Sequence, residues 1–259
     1  MLPGVSTACL YPQELESALR KLANISVKAT EVFINSFSEL EEPFLKRLRS
    51  IADSGGTQVL SVHPFTCGLE PMLFFSGYDR RLEDGREFYK KYYQAACILG
   101  AKLVMFHGNY RTTPIPREKY FSRYQLLMED AAAFGVELCH ENVSRCAGYD
   151  PSFFSEMKKC LPDAGFVLDL KQCIRSGVAF PDMISAMGDG VRHIHISDHD
   201  QNHDCMLLGR GQLDLPNFID SVAKNGFDGG IIVELYRENF GDFVEIKQCY
   251  QHLFNHLSI

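Results

Sequence analysis

Apolar residues along this chain come in short dense runs, separated by longer amphipathic stretches. The runs are VSTAC (5–9), ATEVFIN (29–35), QVLSVH (58–63), KLVMFH (102–107), VELCHE (136–141), GFVLDL (165–170), VRHIHIS (191–197) and GIIVEL (230–235). They are rich in Val, Ile and Phe, the pattern of parallel strands buried on both faces. Between them the period becomes helical. Phe88, Tyr92, Ala95, Ala96 and Leu99 share one face and predict a helix over 86–100; residues 153–160 and 216–224 read the same way. Gly100, Gly135 and Gly226 stand just ahead of the next run, where a helix readily ends in left-handed backbone. Eight strand–helix units predict an α/β protein with a parallel sheet, and eight units in 259 residues favour a single closed (β/α)8 TIM barrel spanning 1–259. An open doubly wound sheet would usually carry a GxGxxG turn after its first strand; the turn here reads CLYPQ. The longest atypical connections, 64–85 and 108–118, both follow strands and are expected at the barrel mouth, where the Tyr- and Phe-rich segments 74–93 and 120–124 would cover a pocket or form an interface, leaving a homo-oligomer open.

Composition narrows the class. The formal charge of −7 opposes a polyanionic partner, so no nucleic acid is expected. No run of 18 apolar residues reads as a membrane span, and the first residues lack the basic start and apolar stretch of a signal peptide. The nine cysteines form no CxxC pair and are odd in number, which points to reduced thiols and a cytoplasmic protein.

The chemistry collects where strands end, which in a barrel is the catalytic face. His63, His107, Glu141, Asp169, His195 and Glu234 all fall there. Alternation puts Cys139 with Glu141, Val167 with Asp169, His193 with His195 and Ile232 with Glu234 on shared faces, so each polar group has a residue one step deeper to fill the interior. A lone Asp or His at a strand end is more often structural. Four such groups at the ends of strands 5 to 8 are neighbours, and three carboxylates together resist ionisation unless a cation neutralises them. Oxygen-rich ligation with one imidazole suits Mn²⁺, Mg²⁺ or Co²⁺, with Zn²⁺ also possible.

HENVSR (140–145), LDLKQ (168–172), HIHISDHD (193–200), LLGRGQLD (207–214) and IIVELY (231–236), in this order and spacing, resemble the sugar phosphate isomerase/epimerase branch of the xylose isomerase-like TIM-barrel superfamily. The resemblance implies one divalent ion on Glu141, Asp169, His195 and Glu234. It implies a metal-stabilised enediolate of a small sugar or polyhydroxy ketone or aldehyde, free or phosphorylated, with Glu141 and Glu234 as the acid/base pair. Similar barrels dehydrate inosose or dehydroshikimate, which is the alternative reading. The endonuclease IV type of nuclease is a more distant relative: His63 and His107 sit where two of its ligands would fall, but Gln172 replaces one histidine and His203-Asp204-Cys205 replaces its Asp-Arg-His segment. His63, His107, Lys171, Gln172 and Arg210 are expected to bind substrate. Glu31 reads as a carboxylate behind the ligands or a buried ion-pair member. Asp198, His199 and His203 cluster after strand 7, and Lys46-Arg47-Arg49 reads as a solvated helix face.

Overall fold

The computed structural model describes Met1–Leu257 and shows the expected architecture, a closed barrel of eight parallel strands in chain order. The strands are β1 (Leu2–Ser6), β2 (Ala29–Phe33), β3 (Gln58–His63), β4 (Leu103–Phe106), β5 (Glu137–Glu141), β6 (Gly165–Asp169), β7 (Val191–Ile196) and β8 (Gly230–Val233). The helices are α1 (Leu15–Asn24), α2 (Glu42–Ser54), α3 (Glu70–Phe74), α4 (Asp79–Leu99), α5 (Arg117–Ala133), α6 (Pro151–Cys160), α7 (Leu170–Ser176), α8 (Phe180–Met187), α9 (Leu215–Lys224) and α10 (Phe243–Leu257). Gly100, Gly135 and Gly226 follow helices with φ of 76°, 69° and 82°, the left-handed stops their positions predicted. The helix expected over 86–100 begins earlier, at Asp79, so the 64–85 connection is largely helical, with α3 inside it. On α2, Lys46 pairs with Glu42 and Arg49 with Asp53 one turn apart, as on a solvated face.

The first strand lies three residues earlier than the apolar run at 5–9. Gly4 is required inside the strand. A Cβ there would meet Ala29 O at 2.4 Å on one neighbour and Ile232 Cδ1 at 2.3 Å on the other. Ser6 then ends the strand: its hydroxyl accepts from the Ala8 amide, and Thr7–Leu10 turn into a 3-10 helix.

Two apolar cores result. The large one lies between sheet and helices; a small one, Met105, Cys139 and Val167 with Leu103, fills the barrel interior. The last two of those buried residues are the deeper partners of Glu141 and Asp169, as alternation required. Beside them the interior is polar. Ser6, Glu31, Ser61 and His193 are buried, and the hydroxyls of Ser6 and Ser61 donate to Glu31 at 3.3 and 2.9 Å. All nine cysteines are free. Among the described residues no helix is long and apolar enough to cross a membrane.

Candidate metal centre

The strand ends of β5 to β8 meet around one atom. His195 Nδ1 lies 3.7 Å from Glu141 Oε1, 3.8 Å from Asp169 Oδ2 and 3.6 Å from Glu234 Oε2. Ligand atoms of Glu141, Asp169 and His195 all lie within 4.8 Å of one another. Glu141 Oε2, Asp169 Oδ2 and His195 Nδ1 are buried without a hydrogen-bond partner, which is costly for polar atoms unless something else satisfies them.

The orientation of each ligand has a cause. The other imidazole nitrogen, His195 Nε2, faces Glu31 Oε2 at 3.1 Å. An ionised carboxylate only accepts, so Nε2 carries a hydrogen and Nδ1 is the nitrogen turned toward the acids. Glu31 is therefore the carboxylate behind His195. Burial would raise its pKa, but His195 and His193 hold it well below the ordinary range. Asp169 is held from two sides: Asn142 exchanges hydrogen bonds with its backbone (Nδ2 to Asp169 O 2.9 Å, Asp169 N to Oδ1 2.7 Å), and Asp169 Oδ1 caps α7 by accepting from Gln172 N at 2.9 Å. The cap uses one oxygen and leaves Oδ2 pointing into the cluster.

Burial penalises all three acids, and their partners decide the outcome. Glu141 stays well below the usual carboxylate range because His107, His195 and His63 outweigh its burial, and Lys171 and His195 do the same for Glu234. At Asp169 burial wins over Lys171 and the pKa is raised. For His195, burial lowers the pKa but Glu31 and Glu234 raise it well above the ordinary imidazole value. A site that crowds carboxylates around one imidazole nitrogen suits a divalent cation.

Of the residues expected to bind substrate, three join the cluster. His63 and His107 bring their Nε2 atoms within 3.2 Å of each other, and His107 Nε2 is 3.0 Å from Glu141 Oε2. With Cys67, they form a second group of ligand-capable atoms within 4.8 Å. Lys171 is buried, 2.7 Å from Glu234 Oε2 and 3.2 Å from Asp169 Oδ2. Gln172 is buried too, but its Oε1 accepts from the Ser144 amide at 3.0 Å, tying α7 to the segment after β5. Arg210 is half exposed and pairs with Glu245 on α10 at 2.7 Å. Of the post-β7 cluster, Asp198 is wholly occupied by loop amides and His203 pairs with Asp200 at the surface.

Sequence reasoning missed Glu70, fully buried on α3. It accepts from Tyr89 Oη (2.5 Å) and from the amides of His107 (2.8 Å) and Gly108 (2.5 Å), and so sets the end of β4. Burial pushes its pKa up to about 8. Nothing in the local pattern EPMLF marks it, because its partners are 19 to 38 residues away.

Residues 19–257 match the family described as xylose isomerase-like TIM barrel. The chain belongs to this family. An uncharacterised protein of Methanocaldococcus jannaschii is 23% identical over 95% of this chain and 86% of its own length. Among solved structures, a D-tagatose 3-epimerase-like protein superposes with a TM-score of 0.82 at 20% identity, covering 100% of this chain and 97% of the other. The D-psicose 3-epimerase of Clostridium cellulolyticum H10 gives 0.79 at 16%, covering 98% and 97%. At these identities the likeness is one of fold, and in this xylose isomerase-like barrel a functional reading must rest on the strand-end cluster itself.

Proposed function

We propose that this protein is a divalent-metal-dependent isomerase or epimerase of a small sugar or polyhydroxy ketone or aldehyde. The observation that carries the reading is the convergence of Glu141 Oε2, Asp169 Oδ2 and His195 Nδ1, all buried and without a hydrogen bond, with Glu234 3.6 Å from the same nitrogen. Glu141, Asp169, His195 and Glu234 would hold one ion, which when bound polarises a carbonyl and its neighbouring hydroxyl.

The two glutamates differ in a way that suits opposite roles. Glu141 is sealed, its side chain 3% exposed with His63 and His107 beside it; Glu234 is 14% exposed. Glu234 also lines a cleft of about 380 Å³ with Tyr11, Phe33, Phe65 and Tyr236. Substrate enters along this aromatic wall, which suits the C–H face of a sugar. One carboxylate takes the proton from the carbon between carbonyl and hydroxyl, and the other returns one. His107, with its pKa lowered by burial, is neutral and shields Glu141 from water. Asp169, shorter and fixed by its cap, serves as a ligand alone.

The neighbour named D-psicose 3-epimerase was solved with D-tagatose, in keeping with a polyhydroxy ketone substrate here. The test is a screen of keto- and aldo-sugars, free and phosphorylated, with the Mn²⁺-loaded protein in D₂O. Solvent deuterium entering the product supports the proposal. An enone chromophore would instead indicate dehydration. Cleavage of abasic-site DNA, with about three ions per chain, would replace the proposal by a nuclease.

A further inference from the structure

Lys171 stands at the one corner of the cluster with a permanent positive charge. Among the described residues no other lysine or arginine pairs with Glu31, Glu141, Asp169 or Glu234. Its side chain is 4% exposed, and its contact with Asp169 falls on Oδ2, the oxygen that the helix cap leaves free. The ammonium also lies over the Tyr236 ring, 4.8 Å from the centroid. One side of it faces two carboxylates and the other faces the aromatic wall of the cleft.

We propose, resting on the metal reading above, that Lys171 is an internal competitor for the divalent ion, and that loading the site moves its ammonium off Asp169 and Glu234 toward Tyr236. The oxygens it contacts are among those the ion needs. An ammonium and a divalent ion that shared these carboxylates would be close neighbours where water screens little, and like charges there repel strongly. The lysine can yield because its stem has four rotatable carbons, while Asp169 and Gln172 on either side are pinned by the α7 cap and by Ser144. Tyr236 offers a nearby π face on which an ammonium is still attracted. In the absence of an ion the same charge lets crowded carboxylates stay ionised without one another's repulsion deciding the fold. The lysine therefore keeps the centre assembled and at the same time lowers its affinity for metal.

The opposite role, a fixed support that orients the ligands, predicts the opposite sign, because removing an orienting partner weakens metal binding. The deciding experiment is calorimetric titration of Mn²⁺ and Mg²⁺ into the wild type and Lys171→Met. The variant is expected to bind roughly tenfold to a hundredfold more tightly, the scale on which neighbours of ligands act. Equal or weaker binding overturns the proposal. Should Lys171→Met not fold, Lys171→Gln takes its place, and the wild type provides an independent readout. Reductive methylation followed by mass spectrometry is expected to spare Lys171 in metal-free protein and modify it in Mn²⁺-loaded protein; protection in both overturns the displacement. A wild type that binds Mn²⁺ as tightly as the variant sinks this proposal and leaves the metal reading standing. No binding by either protein sinks both.

Discussion

Two buried aspartates, one strand apart, show what separates the proposed binding region from a scaffold region in this molecule. Asp169 ends β6 and Asp198 lies two residues beyond β7; both are 1% exposed. Asp198 is saturated: Oδ1 accepts from the amides of His199 and Leu213, and Oδ2 from those of Gly209 and Gly211, at 2.8 to 2.9 Å. It folds the long loop after β7 back on itself, so tightly that a Cβ on Gly211 would come within 2.4 Å of its Oδ1. Asp169 spends one oxygen on a helix cap and leaves the other without a hydrogen bond, among Lys171, His195, Glu141 and Glu234. Residue type and burial are the same; the unused acceptor marks the site. A buried polar group left unsatisfied is destabilising, and under the proposed function the fold around Asp169 accepts that cost to hold a ligand.

The largest expected effect tests whether the unsatisfied region is catalytic. Glu141→Gln and Glu234→Gln keep shape and one carbonyl oxygen but remove a base. Each should lower turnover by about 10²–10⁴ on the substrate found by the screen, while retaining metal by calorimetry. Losses no greater than those of Lys171→Ala or His107→Ala would place the base elsewhere. Stability separates the two aspartates directly. Asp198→Ala strands four amides and should cost about 3 kcal/mol or more in urea unfolding, whereas Asp169→Ala, losing a cap but relieving carboxylate crowding, should change stability by no more than about 1 kcal/mol. Similar values for the two would erase the distinction. Metal affinity should follow the reverse order: His195→Ala and Asp169→Ala are expected to weaken Mn²⁺ binding by about 100-fold, and Asp198→Ala, if folded, far less.

Glu70 sharpens the comparison, being buried, partnered by three donors and still shifted up to about 8 by burial. Between the ordinary carboxyl value of 4.5 and about 8, the native state holds a proton that the unfolded chain has released. Stability should therefore fall as pH rises through that window, with a slope of at most about 1.4 kcal/mol per pH unit, and Glu70→Gln should flatten it in pH-resolved urea melts. The smallest effect is expected at Arg210. Its exposed pair with Glu245 should be worth less than about 1 kcal/mol, and Arg210→Ala should leave Mn²⁺ affinity unchanged by calorimetry. A marked loss of sugar binding in that variant would return it to the site.

Much of this was legible along the chain. Strand positions, helix stops at Gly100, Gly135 and Gly226, and the shared faces of Cys139 with Glu141 and Val167 with Asp169 follow from periods of 2 and 3.6, which are properties of adjacent residues. The start of β1 was not, because Gly4 belongs in a strand only for the sake of Ala29 and Ile232, far away in sequence. Glu31 could be placed in a strand but not assigned between two roles until His195 was seen against it.

By itself the sequence determined the barrel and which residue types stand at strand ends, since hydrophobic periodicity and local backbone preference are encoded over a few residues. Only the tertiary structure decided which of those polar atoms are used up and which are left over. Asp198, in the polar cluster after β7, is consumed by four amides; Gln172, expected to bind substrate, is tied to Ser144; Lys171, expected to do the same, bridges to Glu234, 63 residues away. Hydrogen-bond valence is settled between elements when the barrel closes, and no local pattern records it.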